Sequence, residues 1–97
     1  MSGYDLSSRA RFDLREIWTF TAEKWGRRKA DDYLGEVRAT IEILAVDHRM
    51  GLQFDSTDLT LRRALVESHA IFYRVADDKV LILRILHQAM DAVSHLN

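Results

Sequence analysis

A chain of 97 residues with 14 Lys/Arg against 15 Asp/Glu has a formal net charge of −1, so no global positive field draws in nucleic acid. Hydrophobic residues make up 47 % and charged residues 30 %, which argues against disorder and suits one domain over residues 1–97 with one modest core. There is no cysteine, which excludes disulfides and thiolate metal sites and fits a reducing compartment.

The opening MSGYDLSSRARFD lacks an apolar run of leader length, and no stretch approaches a membrane span, so neither is expected. Gly3 to Leu6 reads as a short strand. Ser7 or Ser8 suits an N-cap, because a hydroxyl can accept from an unpaired first-turn N–H. Ala10, Leu14, Ile17 and Thr21 then fall at helical spacing, with Trp18 and Phe20 widening the stripe. Arg9, Arg11, Asp13, Arg15 and Glu16 are expected mostly away from it. Gly26 is the natural stop.

Ala30, Leu34, Val37, Ile41 and Leu44 mark a second helix, with Asp31 and Asp32 expected in its first turn, where carboxylates suit the dipole. The short Gly26-Arg27-Arg28 connection makes the two helices an antiparallel hairpin. Asp47 to Asp58 reads as a loop and Leu59 to Val66 as a strand. From Ser68 the pattern is a β-hairpin. Ile71, Tyr73 and Val75 alternate with Ala70, Phe72 and Arg74, and Val80 to Leu86 is apolar except for Arg84. Asp77-Asp78 supplies the turn. In the tail, Ala89, Met90, Val93 and Leu96 are spaced for one or two helical turns. The order β-α-α-β-β-β predicts an α+β domain, with the helical hairpin on one face of a small, mainly antiparallel sheet. Leu14, Ile17, Leu34, Val37, Ile41, Leu83 and Ile85 are the expected core.

Charge is uneven along the chain. Residues 1–30 hold seven Lys/Arg against four Asp/Glu, and residues 31–60 hold two against seven. Either the helices have ordinary solvated faces, or a basic first helix meets an acidic partner. No Gly-rich phosphate loop, HExxH or nucleophile elbow is present. His48, His69, His87 and His95 match no zinc signature, so no metal or cofactor is expected. Arg62, Arg63, Arg74 and Arg84 fall on strands, where a guanidinium can grip phosphate, pair with a carboxylate or lay its stem on apolar surface. Trp18, Trp25, Tyr33 and Tyr73 suit packing or a partner.

Four blocks carry a family resemblance: ARFDLREIW from Ala10 to Trp18, WGRRKADDYL from Trp25 to Leu34, HAIFYRV from His69 to Val75, and VLILRILHQAMD from Val80 to Asp91. In this order they resemble the ParE toxins of bacterial type II toxin–antitoxin operons, within the ParE/RelE superfamily. Two departures touch loops: Asp47-His48-Arg49 stands where such toxins commonly have Pro, and Glu67-Ser68 where they often have Gly.

The resemblance implies a cytoplasmic growth-inhibiting toxin in a hetero-oligomeric complex with a ParD-like antitoxin. Operator DNA would be reached only through that antitoxin, and no membrane is involved. ParE-like members poison DNA gyrase by contact, without chemistry of their own, and the His87-to-Asp91 block looks like this branch. RelE-like members cut messenger RNA on the ribosome, and for that activity His87 with Arg62, Arg63 or Arg84 is the best constellation available. A degenerate toxin that only binds its antitoxin is the third reading. Arg9, Arg11, Arg15 and Trp18 are the antitoxin-binding candidates. His87, Met90, Asp91 and His95 are the target-binding candidates.

Overall fold

A computed structural model describes residues 3–54, 57–90 and 92–96, apart from the side chain of residue 93. The elements are β1 (Gly3–Leu6), α1 (Ser8–Trp25), α2 (Arg27–Val46), a 3₁₀ turn (His48–Met50), β2 (Leu52–Gln53), β3 (Arg62–Val66), β4 (His69–Ala76), β5 (Lys79–His87) and α3 (Ala92–Leu96). Ser7 is the N-cap of α1. Its Oγ accepts from the Ala10 N–H at 3.0 Å and donates to the Leu83 carbonyl at 2.7 Å, so the cap also stitches the helix to β5.

Gly26 alone joins the helices. Its φ of 94° lies where L side chains rarely go. Its N–H bonds the Ala22 carbonyl, and its own carbonyl accepts from Ala30 N. Because α2 starts at Arg27, Asp31 and Asp32 fall beyond the first turn, which is Arg27-Arg28-Lys29 instead.

The five strands run in the order β1-β5-β4-β3-β2. β1 lies parallel to β5, with Gly3 opposite Lys79 and Leu6 opposite Ile82, and the other pairings are antiparallel. β3 begins at Arg62, three residues later than the alternation suggests. Asp58 explains the delay, since its carboxylate accepts from both the N–H and the hydroxyl of Thr60 and holds a turn there. The expected loop before it contains the 3₁₀ turn and the two-residue edge strand β2.

The β4–β5 turn places both Asp77 (φ 51°) and Asp78 (φ 64°) in the left-handed region, the pattern of a type I′ hairpin. Asp tolerates it, and Gly adopts it without the Cβ penalty. Asp78→Gly is therefore expected to stabilise the fold by about 0.5–1 kcal/mol. Thermal unfolding checks this: a melting temperature that stays put or drops would show that the Asp78 side chain supports the turn.

A bulge sets the phase of β5. Phe72 pairs with Arg84 and Tyr73 with Ile82, leaving Leu83 as the extra residue. Val80, Ile82 and Ile85 consequently face the helices with Ile17, Val37, Ile41, Leu44, Ile71 and Tyr73. Leu83, expected in that core, belongs to the opposite face with Leu61, Ala70, Phe72 and Leu86, against which Phe54, Ala92 and Leu96 pack. Leu14 and Leu34 pack at the rim of the main core and are half-buried.

Tyr73 is fully buried, yet its hydroxyl is satisfied. It donates to the His48 carbonyl at 2.6 Å and accepts from Gly51 N at 3.0 Å. A Cβ at Gly51 would fall 2.2 Å from that oxygen, so the close approach requires glycine. Among the described residues, no helix is long and apolar enough to cross a membrane.

Candidate functional site

Asp13 and Arg84 form the most buried ion pair among the described residues. Asp13 is 7 % exposed, although its charge suggested the polar side of α1. Arg84 grips it with two bonds, Nε to Oδ2 at 2.8 Å and Nη2 to Oδ1 at 2.9 Å. The same Oδ2 accepts from the Ile85 N–H at 2.9 Å. Pairing with β1 ends at Ile82, so this carboxylate satisfies a backbone donor on an otherwise open edge of β5. Its bonds to Asp13 hold Arg84 above its usual range. Arg84 Nη1 also donates to the His95 carbonyl at 3.1 Å, tying in α3. The signal was present in the sequence: Ala10, Asp13 and Ile17 are spaced i, i+3, i+7 on the buried stripe.

The other strand arginines also have structural partners. Arg62 donates to the carbonyls of Arg49 and Gly51, holding the loop before β2. Arg63 stacks over the Phe54 ring at 5.3 Å. Arg74 bonds Asp58 at 2.6 Å and Thr60 at 3.1 Å. Bonds from Thr60 and then Arg74 pull the Asp58 carboxyl down to about 2. The proposed nuclease set is thus dispersed. Arg62 and Arg84 are committed elsewhere, and Arg63 and His87 merely flank a recess of about 80 Å³ beside Met90.

On α1, Arg9, Arg11 and Arg15 are exposed, as expected. They do not form one patch. Two residues are roughly 200° of rotation on a helix, so Arg9 points almost opposite to Arg11 and Arg15. Arg9 lines a cavity of about 340 Å³ on the far face of the sheet with Asp58, Arg74 and Arg84. Trp18 is half-buried, and its Nε1 donates to Asp31 at 2.9 Å, clasping the two helices together.

At the other end of the hairpin three side chains meet. The Tyr33 hydroxyl lies 2.6 Å from His69 Nδ1, and the His69 and His87 rings meet edge to face at 5.3 Å. His87 Nδ1 accepts from Ala89 N at 3.0 Å, which turns the chain into the tail. Met90 is exposed, and His95 lies on α3. Asp91, Asn97 and the Val93 side chain lie outside the described residues. Phe20, expected to widen the buried stripe, is exposed, and so is Trp25, for which the sequence leaves packing or a partner-facing role open. Among the described residues, no group of three or more His, Asp or Glu could hold a metal.

Burial, and next the charge of His87, push the His69 pKa below its ordinary value, with Asp13 opposing. Burial likewise raises Tyr33, with Glu67 and Glu36 adding to the rise. An unfolded imidazole takes up its proton near 6.5, whereas native His69 resists. The contribution of His69 is thus full above about pH 6.5 and falls as pH drops below it. The urea midpoint is expected to be lower at about pH 5.5 than at pH 7.5. His69→Gln should flatten that dependence, and an equally steep profile in the variant would show that other groups carry it.

Comparison with known proteins gives this architecture its family. A family model described as ParE toxin of type II toxin-antitoxin system, parDE, matches residues 4–92. The chain belongs to the ParE toxin family. The protein named Toxin ParE1 from Caulobacter vibrioides is 44 % identical over 96 residues, covering 99 % of each chain. In structure, the ParE fold seen here is similar to a chain of the chromosomal ParDE system from P. aeruginosa, with a TM-score of 0.76 at 22 % identity, covering 90 % of this chain and 95 % of that one. A chain of the RelBE2 toxin–antitoxin complex from Mycobacterium tuberculosis matches with a TM-score of 0.68 at 20 % identity, over 90 % and 98 % of the two chains. The α+β ParE/RelE-like architecture read from the sequence is therefore the fold of this ParE family member.

Proposed function

We infer that this ParE family member inhibits growth by binding DNA gyrase in the cytoplasm, and that a ParD-like antitoxin neutralises it. The observation carrying a binding mode is the commitment of Arg84 to Asp13. Arg84 of the candidate nuclease set is occupied by a buried carboxylate and a carbonyl, leaving it no free fork for a phosphate. The surface supports partner binding as well. Ten large apolar side chains are exposed among the described residues, among them Leu52 and Leu65 on the sheet and Ile43 and Val46 on α2, more than a domain this small needs to display. An amphipathic antitoxin segment, partly disordered when free, would cover part of this area, with Arg11 and Arg15 meeting its acidic residues.

The target surface in this reading is the end of β5 with the tail, namely His87, Met90, Asp91 and His95. Purified gyrase tests it. Supercoiling is expected to fall when the protein is added and to recover with antitoxin. Met90→Ala should weaken inhibition roughly tenfold, as for loss of an exposed apolar contact at a binding centre. His87→Gln, which keeps a polar side chain for contact and removes the acid–base group, should leave inhibition largely intact. If gyrase is indifferent while ribosome-bound message is cut, and His87→Gln abolishes the cutting, the ribonuclease reading replaces this one. If neither target responds but antitoxin still binds, the chain is a degenerate toxin.

A further inference from the structure

The free end of the helical hairpin carries side chains that folding does not account for. Phe20 and Trp25 are each 60 % exposed. Lys24 Nζ lies 5.5 Å from the centre of the first ring and 5.3 Å from the second, so one ammonium holds both aromatic faces together at the surface. Arg27, Arg28 and Lys29 follow directly and are exposed. None of these four cations joins an ion pair among the described residues. The three on α2 oppose the helix dipole and one another, a local conflict that no ion pair among the described residues offsets.

Beside them opens a recess of about 230 Å³. Tyr33, His69 and His87 line it together with Phe20, Trp25 and Lys29, and Glu67 is its one carboxylate. It is smaller than a typical small-molecule pocket of roughly 300–1,000 Å³, and suits a single large side chain.

We propose that the hairpin end is a docking surface for an acidic protein segment that inserts one large apolar side chain between Phe20, Trp25 and the Tyr33–His69–His87 cluster. The apolar anchor covers the two exposed rings, and flanking carboxylates meet Lys24, Arg27, Arg28 and Lys29. A nucleic-acid strand fits less well. Strand binding needs cations along a backbone track, and these four are a short run bounded in sequence by Glu23 and by Asp31 and Asp32. The proposal does not depend on gyrase being the target.

The test uses the full chain and a labelled synthetic peptide with one central Leu flanked by Asp and Glu, followed by fluorescence anisotropy at low salt. Two controls run beside it: the same peptide with Gly for Leu, and a short oligothymidylate. Saturable binding of the Leu peptide is expected, weakened about tenfold or more by Trp25→Ala and likewise by Arg27→Glu with Arg28→Glu. Phe12→Ala, at an exposed ring elsewhere on α1, should change nothing. Amide NMR shifts on the unaltered chain should map to residues 20–33, 67–69 and 87, which keeps the test valid if a variant folds poorly. The proposal is overturned if the Gly peptide binds as tightly, if the oligothymidylate binds better, if Trp25→Ala has no effect, or if the shifts lie elsewhere.

Discussion

Replacing Asp13 with Ala is expected to destabilise the protein by about 3–5 kcal/mol, because it strands a charge in a nearly closed site. For a chain of 97 residues with a total stability of roughly 5–15 kcal/mol, that is a large share of the whole. Three consequences add up at this residue. Arg84 loses both bonds of its fork, Ile85 N–H loses its acceptor, and the hold of Arg84 on α3 through the His95 carbonyl loosens. Arg84→Ala should cost a similar amount for the mirror reason. The double change Asp13→Leu with Arg84→Met should be milder than the sum, since no charge is left alone and apolar groups of similar volume fill the space. Urea unfolding of the four proteins measures this directly. A loss below about 1 kcal/mol for Asp13→Ala would show that water replaces the carboxylate at little cost.

Ile41→Ala is expected to cost about 2–5 kcal/mol, and Leu34→Ala distinctly less. Both sit on the same stripe of α2, but Ile41 is 2 % exposed at the centre of the main core, while Leu34 packs at its rim. The centre cannot collapse around a lost side chain, and the rim admits water. Equal losses at the two positions would mean that the rim is as tightly closed as the centre.

Periodicity reached the helices and the central hairpin because those segments obey one rule at a time. Ala30, Val37, Ile41 and Leu44 repeat at helical steps, and all four are buried. Leu83 escaped that logic, since a single bulge beside it shifts the side-chain phase and no local residue announces the bulge. Asp13 escaped because a carboxylate on an apolar stripe is ordinarily read as solvated; only a partner 71 residues away makes its burial tolerable. The arginines on β3, β4 and β5 were visible as residues, but their partners were not. Whether a guanidinium grips a phosphate, a carboxylate or a carbonyl depends on neighbours brought in by other elements. The Tyr33–His69–His87 contact is of the same kind, a meeting of α2, β4 and β5 that no spacing encodes.

The parallel seam between β1 and β5 has a consequence for synthesis. Ser7 bonds Leu83 across 76 residues, so one edge of the sheet can close only after β5 has been made. At 5–20 residues per second, roughly 4–15 s separate the two halves of that seam on the ribosome. In the later part of this interval, once Val46 has been made, the helical hairpin is complete in sequence and its apolar stripe has no finished sheet to rest on. A nascent chain therefore lacks its β1–β5 edge until its last strand emerges, and in that window its apolar stripe stays uncovered.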